Sequence, residues 1–261
     1  MPGGEKERSS RDRNLTQGKI LKSLITFAFP VVLALLLQAT YGAADLIIVG
    51  QFAGTGEQSG VASGSQFFHL VTMMITGLTM GVTVFVGNAI GAGQTERAGR
   101  GIGTGIVIFG ILAVLMTALV VPGSEVLARF MHAPEAAFAQ TSAYIRICGM
   151  GTVFIVAYNV IGAVFRGIGD SKTPLFTVAV ACVINIVGDL VLVAGFGMGA
   201  AGAALATVSA QAVSVVCSLY LIGKKKLPFV FSRAYIRLEG ACAKGILWVG
   251  IPIALQEMLV Q

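Results

Sequence analysis

Six stretches of apolar sequence, each long enough to cross a lipid bilayer, dominate this chain at residues 23–52, 61–90, 101–121, 144–167, 173–196 and 200–222. At about 1.5 Å per residue, some 20 helical residues span the roughly 30 Å hydrocarbon core. The runs show neither strand alternation nor a heptad, and in lipid a segment must satisfy its own backbone polar groups, which a helix does. The fold class that follows is all-α, a polytopic membrane bundle of six helices. Composition agrees: 11% of residues are charged, against roughly 25% in soluble domains. The first two runs are the longest, which predicts tilt or a kink, and Pro30 supplies a kink in the first.

The loops set the orientation. Of the 18 Lys and Arg residues, 16 fall on one side: in the tail 1–22, after the second and fourth helices, and after the sixth. Only Arg129 and Arg146 fall on the other. This asymmetry predicts a cytoplasmic N-terminus. The basic residues lie between apolar runs with no aromatic interleaving, so the formal charge of +6 points to membrane topology and not to nucleic acid. The first run is too long for a signal-peptide core, so no cleavable signal is expected. Cys148, Cys182, Cys217 and Cys242 lack metal-ligand or redox spacing and read as packing residues.

The domain plan is a basic cytoplasmic tail at 1–22, a six-helix lobe at 23–222, a cytoplasmic linker at 223–243, and the start of a second lobe at 244–261. A seventh apolar run, 245–261, reaches the end of the sequence without a polar flank, which suggests a fragment of a longer chain. An internal repeat agrees. Residues 22–33 (KSLITFAFPVVL) resemble 244–255 (KGILWVGIPIAL), with Lys, Pro and Leu in register. The expected whole is two six-helix units in one transporter.

Asp45 and Asp189 lie deep in apolar helices, where an aspartate costs roughly 2.5–3.5 kcal/mol on insertion scales. Such residues face partners or a wet cavity. Asp45, Asp189 and Thr207 each sit about seven residues from the outer end of their helices, or ~10 Å of rise, so they share a level. Gln38, Tyr41 and Asp45 form one stripe; Asn185 and Asp189 are four apart; Thr207, Gln211 and Ser214 form a third stripe. Three helices thus offer oxygen-rich faces to a common interior, which suits a proton or a sodium ion. Interhelical hydrogen bonding alone is the competing reading. Asn159, with Tyr158, would line the same cavity lower down. His69 and Gln66 read as packing residues or interhelical hydrogen bonds and not as ligands, and Glu257 is a third acid in the seventh run.

These segments resemble the multidrug and toxic compound extrusion (MATE) family. The residues are Pro30, Gln38 and Tyr41-Gly-Ala-Ala-Asp45, then Gly87-Asn-Ala-Ile-Gly91, Phe165-Arg-Gly-Ile-Gly-Asp170, Asn185-Ile-Val-Gly-Asp189 and Gly199-Ala-Ala-Gly202 through Thr207. The resemblance runs from about residue 18 to the end. It implies half of a twelve-helix transporter in the cell membrane. Such a protein is not an enzyme, and it exports small cationic organic compounds against inward flow of protons or sodium by alternating access. It also implies a cation site at Gln38, Asp45, Asn185, Asp189 and Thr207, any sodium resting on Asp45 and Asp189. No organic cofactor is expected. The partners would be the substrate, the bilayer and the second lobe. In the expected cycle, neutralising the two aspartates lets the first helix bend near Pro30 and releases substrate outward.

A lipid-linked oligosaccharide flippase is the alternative. Such exporters tend to carry cationic cavities, whereas the intramembrane charge here reads as acidic apart from Arg146. Gly197-Met-Gly199-Ala-Ala-Gly202 matches G-x-G-x-x-G but lies in a turn between membrane helices, outside any βαβ unit. Gly167-Ile-Gly169-Asp170 matches the G-x-G-D of intramembrane aspartyl proteases. Asp170 instead reads as a turn, or as a salt bridge to Arg166 or Lys172 in a cytoplasmic loop.

Overall fold

A computed structural model of the chain describes residues 20–225 and 227–259. The expected basic tail lies, up to residue 19, outside the described residues. The elements are α1 (Ile20–Phe52), α2 (Thr55–Gly91), α3 (Thr95–Phe130), a 3-10 turn at Glu135–Ala137, α4 (Phe138–Met150) and α5 (Thr152–Gly167). There follow α6 (Lys172–Asp189) with a π-helical turn at Leu190–Gly195, α7 (Gly199–Lys224), a 3-10 turn at Arg233–Tyr235, and α8 (Gly240–Leu259). No strand occurs among the described residues. Six helices are long and apolar enough to cross a membrane, and α4 and α5, bent by 55° at their break, pass the same test as a pair. The expected six helices and the beginning of a seventh are present.

Several boundaries differ from the hydropathy reading. α2 starts at Thr55, six residues early, because its polar first turn is anchored: Glu57 Oε2 accepts a hydrogen bond from Ala200 N at 2.7 Å, at the start of α7. α3 overruns the expected 101–121 at both ends. The Glu96–Arg100 pair, four residues apart at 2.7 Å, supports its first turn, and the helix continues past Pro122 to Phe130. Hydropathy marks only the part in hydrocarbon; a helix goes on for as long as its backbone bonds do. The fourth crossing breaks between Met150 and Thr152, at a glycine-rich stretch (Gly149, Gly151) of the kind that admits sharp bends. α1 is continuous through the buried Pro30, so the expected kink does not interrupt the helix.

The helices alternate in direction, so the start of α1, the α2–α3 and α5–α6 connections and the α7–α8 segment gather at one end, together with most of the described Arg and Lys residues. We call this the basic end and the other the far end. Exposed apolar side chains, among them Leu119, Val126, Val216, Leu219 and Trp248, form the outer surface, as in a protein whose outside faces lipid. The molecule is a multi-pass membrane protein.

Two glycine seams fix the periphery. α8 packs on α2 so closely that a methyl group on Gly81 would collide with the Ile246 carbonyl, and one on Gly77 with the backbone of Ala254. This small-xxx-small approach is a membrane packing mode. The segment before α8 is docked, not a free tether. The Tyr235 carbonyl rests on Gly103 of α3, Thr104 Oγ1 donates to the Arg237 carbonyl at 3.2 Å, and Arg100 reaches Glu239 at 3.7 Å.

Candidate functional site

A cavity of about 670 Å³ opens among α1, α2, α4, α5, α6 and α7. Of the two predicted acids, Asp45 borders the cavity toward its far end. Asp45 of α1 is 5% exposed and Asp189, the last residue of α6, is fully buried. The two carboxyl groups lie close enough to interact, with Asn185 beside them. Thr207 Oγ1, from α7, donates to Asp45 Oδ2 at 3.3 Å and accepts from Asn185 Nδ2 at 3.3 Å. Three helices meet at this point, at the shared level that the spacing predicts. Immediately after Asp189 the backbone passes into the π turn, where Phe196 N bonds to the Val191 carbonyl at 3.0 Å. Single π turns inside α-helices recur at functional sites.

The cluster is rich in acceptors and poor in donors. Asp45 Oδ1, both Asp189 oxygens and Asn185 Oδ1 are buried and receive no hydrogen bond from the described residues. A buried oxygen left without a donor costs about 1–3 kcal/mol, more if charged. Four such atoms in one cluster suit an entering proton or a small cation, which supplies what the chain withholds. Asp45 and Thr207 border the cavity, whereas Asn185 and Asp189 stand behind them. Glu257 stands apart, on α8, which touches only α2 and α3.

The other predicted residues divide. Gln38 lines the cavity some two turns from Asp45, and its amide donates to the Tyr158 hydroxyl at 3.1 Å. It does not join the carboxylate cluster. Tyr41 and Gln211 line the cavity, Gln211 with a buried Oε1 that accepts no hydrogen bond from the described residues. Asn159 also lines it, held by Thr76 Oγ1 at 3.1 Å and by the Ile155 carbonyl at 2.8 Å. Ser214 does not. It is fully buried, and its hydroxyl donates to the Thr177 carbonyl at 2.9 Å, a bond between helices. His69 and Gln66 are among the residues lining the cavity.

At the basic end two expectations change. Asp170 pairs with neither Arg166 nor Lys172 but with Lys225, at 2.7 Å, at the end of α7. It also accepts from Thr173 N at 3.0 Å and Thr173 Oγ1 at 2.7 Å, and Lys225 Nζ donates to Thr173 Oγ1 as well. Burial raises the Asp170 carboxyl, but the bonds from Lys225 and Thr173 outweigh it and hold the group below its ordinary value. Arg166, freed of that partner, lines the cavity. The intramembrane charge is therefore not acidic alone. One signal for this was present: Tyr158, Gly162 and Arg166 recur every four residues and share one face of α5. The Glu57–Ala200 contact had no signal, because its partners lie 143 residues apart.

A helical bundle of this kind, enclosing a largely apolar cavity with a few polar groups and buried carboxylates toward one end, defines a lobe of a multi-pass membrane transporter. The family model described as MatE matches residues 30–191. A probable multidrug resistance protein of Bacillus subtilis, YpnP, is 32% identical over 95% of this chain and 55% of its own length. A probable multidrug resistance protein of Thermotoga maritima, NorM, is 31% identical over 92% of this chain and 52% of its own. Among solved structures, a MATE transporter in a bent conformation superposes with a TM-score of 0.87 at 26% identity, over 95% of this chain and 55% of that one. The chain belongs to the MATE family of multidrug efflux transporters. It spans about half the length of the curated relatives it matches.

Proposed function

We propose that this chain forms the N-terminal lobe of a secondary antiporter in the cell membrane, with its N-terminus cytoplasmic. The transporter would export cationic organic compounds in exchange for protons or sodium ions by alternating access. The observation that carries the reading is the donor-poor pair Asp45–Asp189, brought together by α1 and α6 with Thr207 of α7 beside them, at the far end of a cavity large enough for a drug-sized molecule. An ion entering there bonds to oxygens on α1 and α6 together and relieves the repulsion between two carboxylates. Neutral carboxyls no longer attract a cationic substrate, and α1, with Pro30 toward its other end, is the element free to adjust. Substrate and ion then compete for the same charge, which is the thermodynamic requirement of exchange.

The test uses the chain in lipid nanodiscs with a bound fluorescent cation, the methyl ester of rhodamine B. Acidification or added sodium is expected to release the dye, and Asp45→Asn or Asp189→Asn to abolish that response. Release that survives in both variants sinks the proposal. The flippase reading finds one observation in its favour, the cationic side chain of Arg166 in the cavity; saturable binding of a lipid pyrophosphate in place of the dye would support it.

A further inference from the structure

The basic end of the cavity holds a charge that the exchange cycle does not use. Arg166 stands on the last turn of α5 and lines the cavity. Every described acid at that end is engaged elsewhere: Asp170 with Lys225, and Glu96 and Glu239 with Arg100. No carboxylate among the described residues pairs with Arg166. Its guanidinium folds back along α5, with Nη1 only 3.3 Å from where a methyl group on Gly162 would lie. The absence of a side chain at 162 keeps that path along the cavity wall open. The lining nearby, Tyr158, Ser171 and Ser218, is neutral.

A lone guanidinium on the wall of a partly desolvated cavity is a directional receptor. It presents a planar fork of N–H donors that matches a carboxylate with two parallel bonds. At the opposite end stands Asp45. Counted along the helix axes from the Gln38–Tyr158 contact, the two charges are separated by roughly 16 Å. A field of this kind orients a molecule bearing both signs and opposes the inverted pose.

We infer that Arg166 anchors a carboxylate of the transported compound, so that the cavity selects amphoteric organic molecules, with a cationic group and a carboxylate, over simple organic cations. This rests on the reading of the cavity as the substrate site and narrows its substrate class. It also assigns Arg166 a specificity role separate from the ion pair: the ion site governs release, the guanidinium governs which molecule enters.

The test compares rhodamine B, whose carboxylate is free, with its methyl ester. Binding to the chain is measured by fluorescence polarisation in nanodiscs of zwitterionic lipid, at neutral pH and without an ion gradient. Wild type is expected to prefer the free acid by about tenfold, the worth of one charge-assisted hydrogen bond. Arg166→Gln is expected to erase the preference while binding the ester at least as tightly as wild type, because a like charge has left the cavity, and that retained binding reports that the variant is folded. Arg166→Lys is expected to keep part of it. Equal affinity for the two dyes in wild type, or a preference that survives Arg166→Gln, overturns the inference while the antiporter reading stands. Loss of the preference on adding phosphatidylglycerol assigns the guanidinium to lipid phosphate and overturns it too. Failure of wild type to bind either dye removes the substrate site itself, and both proposals with it.

Discussion

The two ends of the bundle use the same side chain in opposite ways. At the basic end Asp170 accepts from Lys225 and twice from Thr173, and those bonds hold it ionised. At the far end Asp189 is fully buried and accepts from no described residue, and Asp45 has one weak donor at 3.3 Å. Donor supply is what separates them. A satisfied aspartate ties α6 to α7 and needs nothing further. An unsatisfied pair stores unfavourable energy that an arriving ion can relieve. The basic end is also where backbone meets backbone, through Gly103 and the docked Tyr235 segment. One end holds the lobe's shape, and the other is left able to change.

Breaking the rigid end at its tightest point gives the largest expected effect. Gly103→Val places a side chain into the Tyr235 carbonyl and is expected to lower stability by about 3 kcal/mol, the upper range for overpacking, seen as a lower melting temperature in detergent. Next comes a change of opposite sign. Asp189→Asn removes a buried carboxylate that lacks donors and is expected to raise the melting temperature, by the equivalent of about 1–2 kcal/mol, while losing the ion response. A fall would mean that the far-end acids are structural after all.

Asp170→Asn sharpens the contrast. The pair with Lys225 is partly exposed, with side chains at 23% and 38%, so the expected loss is under about 1 kcal/mol. Its pH dependence carries a sign. The folded value is depressed, so the stabilisation is present above the unfolded value of about 3.9 and is lost as pH falls through the folded one. Melting curves of wild type and Asp170→Asn are therefore expected to differ at neutral pH and to converge below about pH 4. A gap that persists in acid would show that the charge is not what ties α6 to α7. The smallest effect belongs to Glu57→Gln. The amide can still accept from Ala200 N, so only the interaction of charge with the α7 dipole is lost, a few tenths of a kcal/mol.

The apolar runs disclosed the helices, and the pairing of Asp45 with Asp189 and Thr207 was legible because counting residues from helix ends gives depth in a bilayer. Depth is one coordinate of three. Gln38 shares a stripe with Asp45 but sits two turns away and bonds to Tyr158. Ser214 shares one with Thr207 and Gln211 but turns to the Thr177 carbonyl. Asp170 has two cations within four residues and pairs with one 55 residues away. Periodicity says which residues share a face; it does not say which helix that face meets.

Hydrophobic length and the cost of burying charge act within a single segment, so the sequence by itself determined a six-helix membrane lobe, the start of a seventh helix and the acids that need a reason to be there. Interactions between segments needed tertiary structure, because they depend on how backbones approach across glycines and where donors run out. Only the packed structure decided that the far-end carboxylates lack donors, that the α7–α8 segment is docked on α3, and that Arg166 stands on the cavity wall.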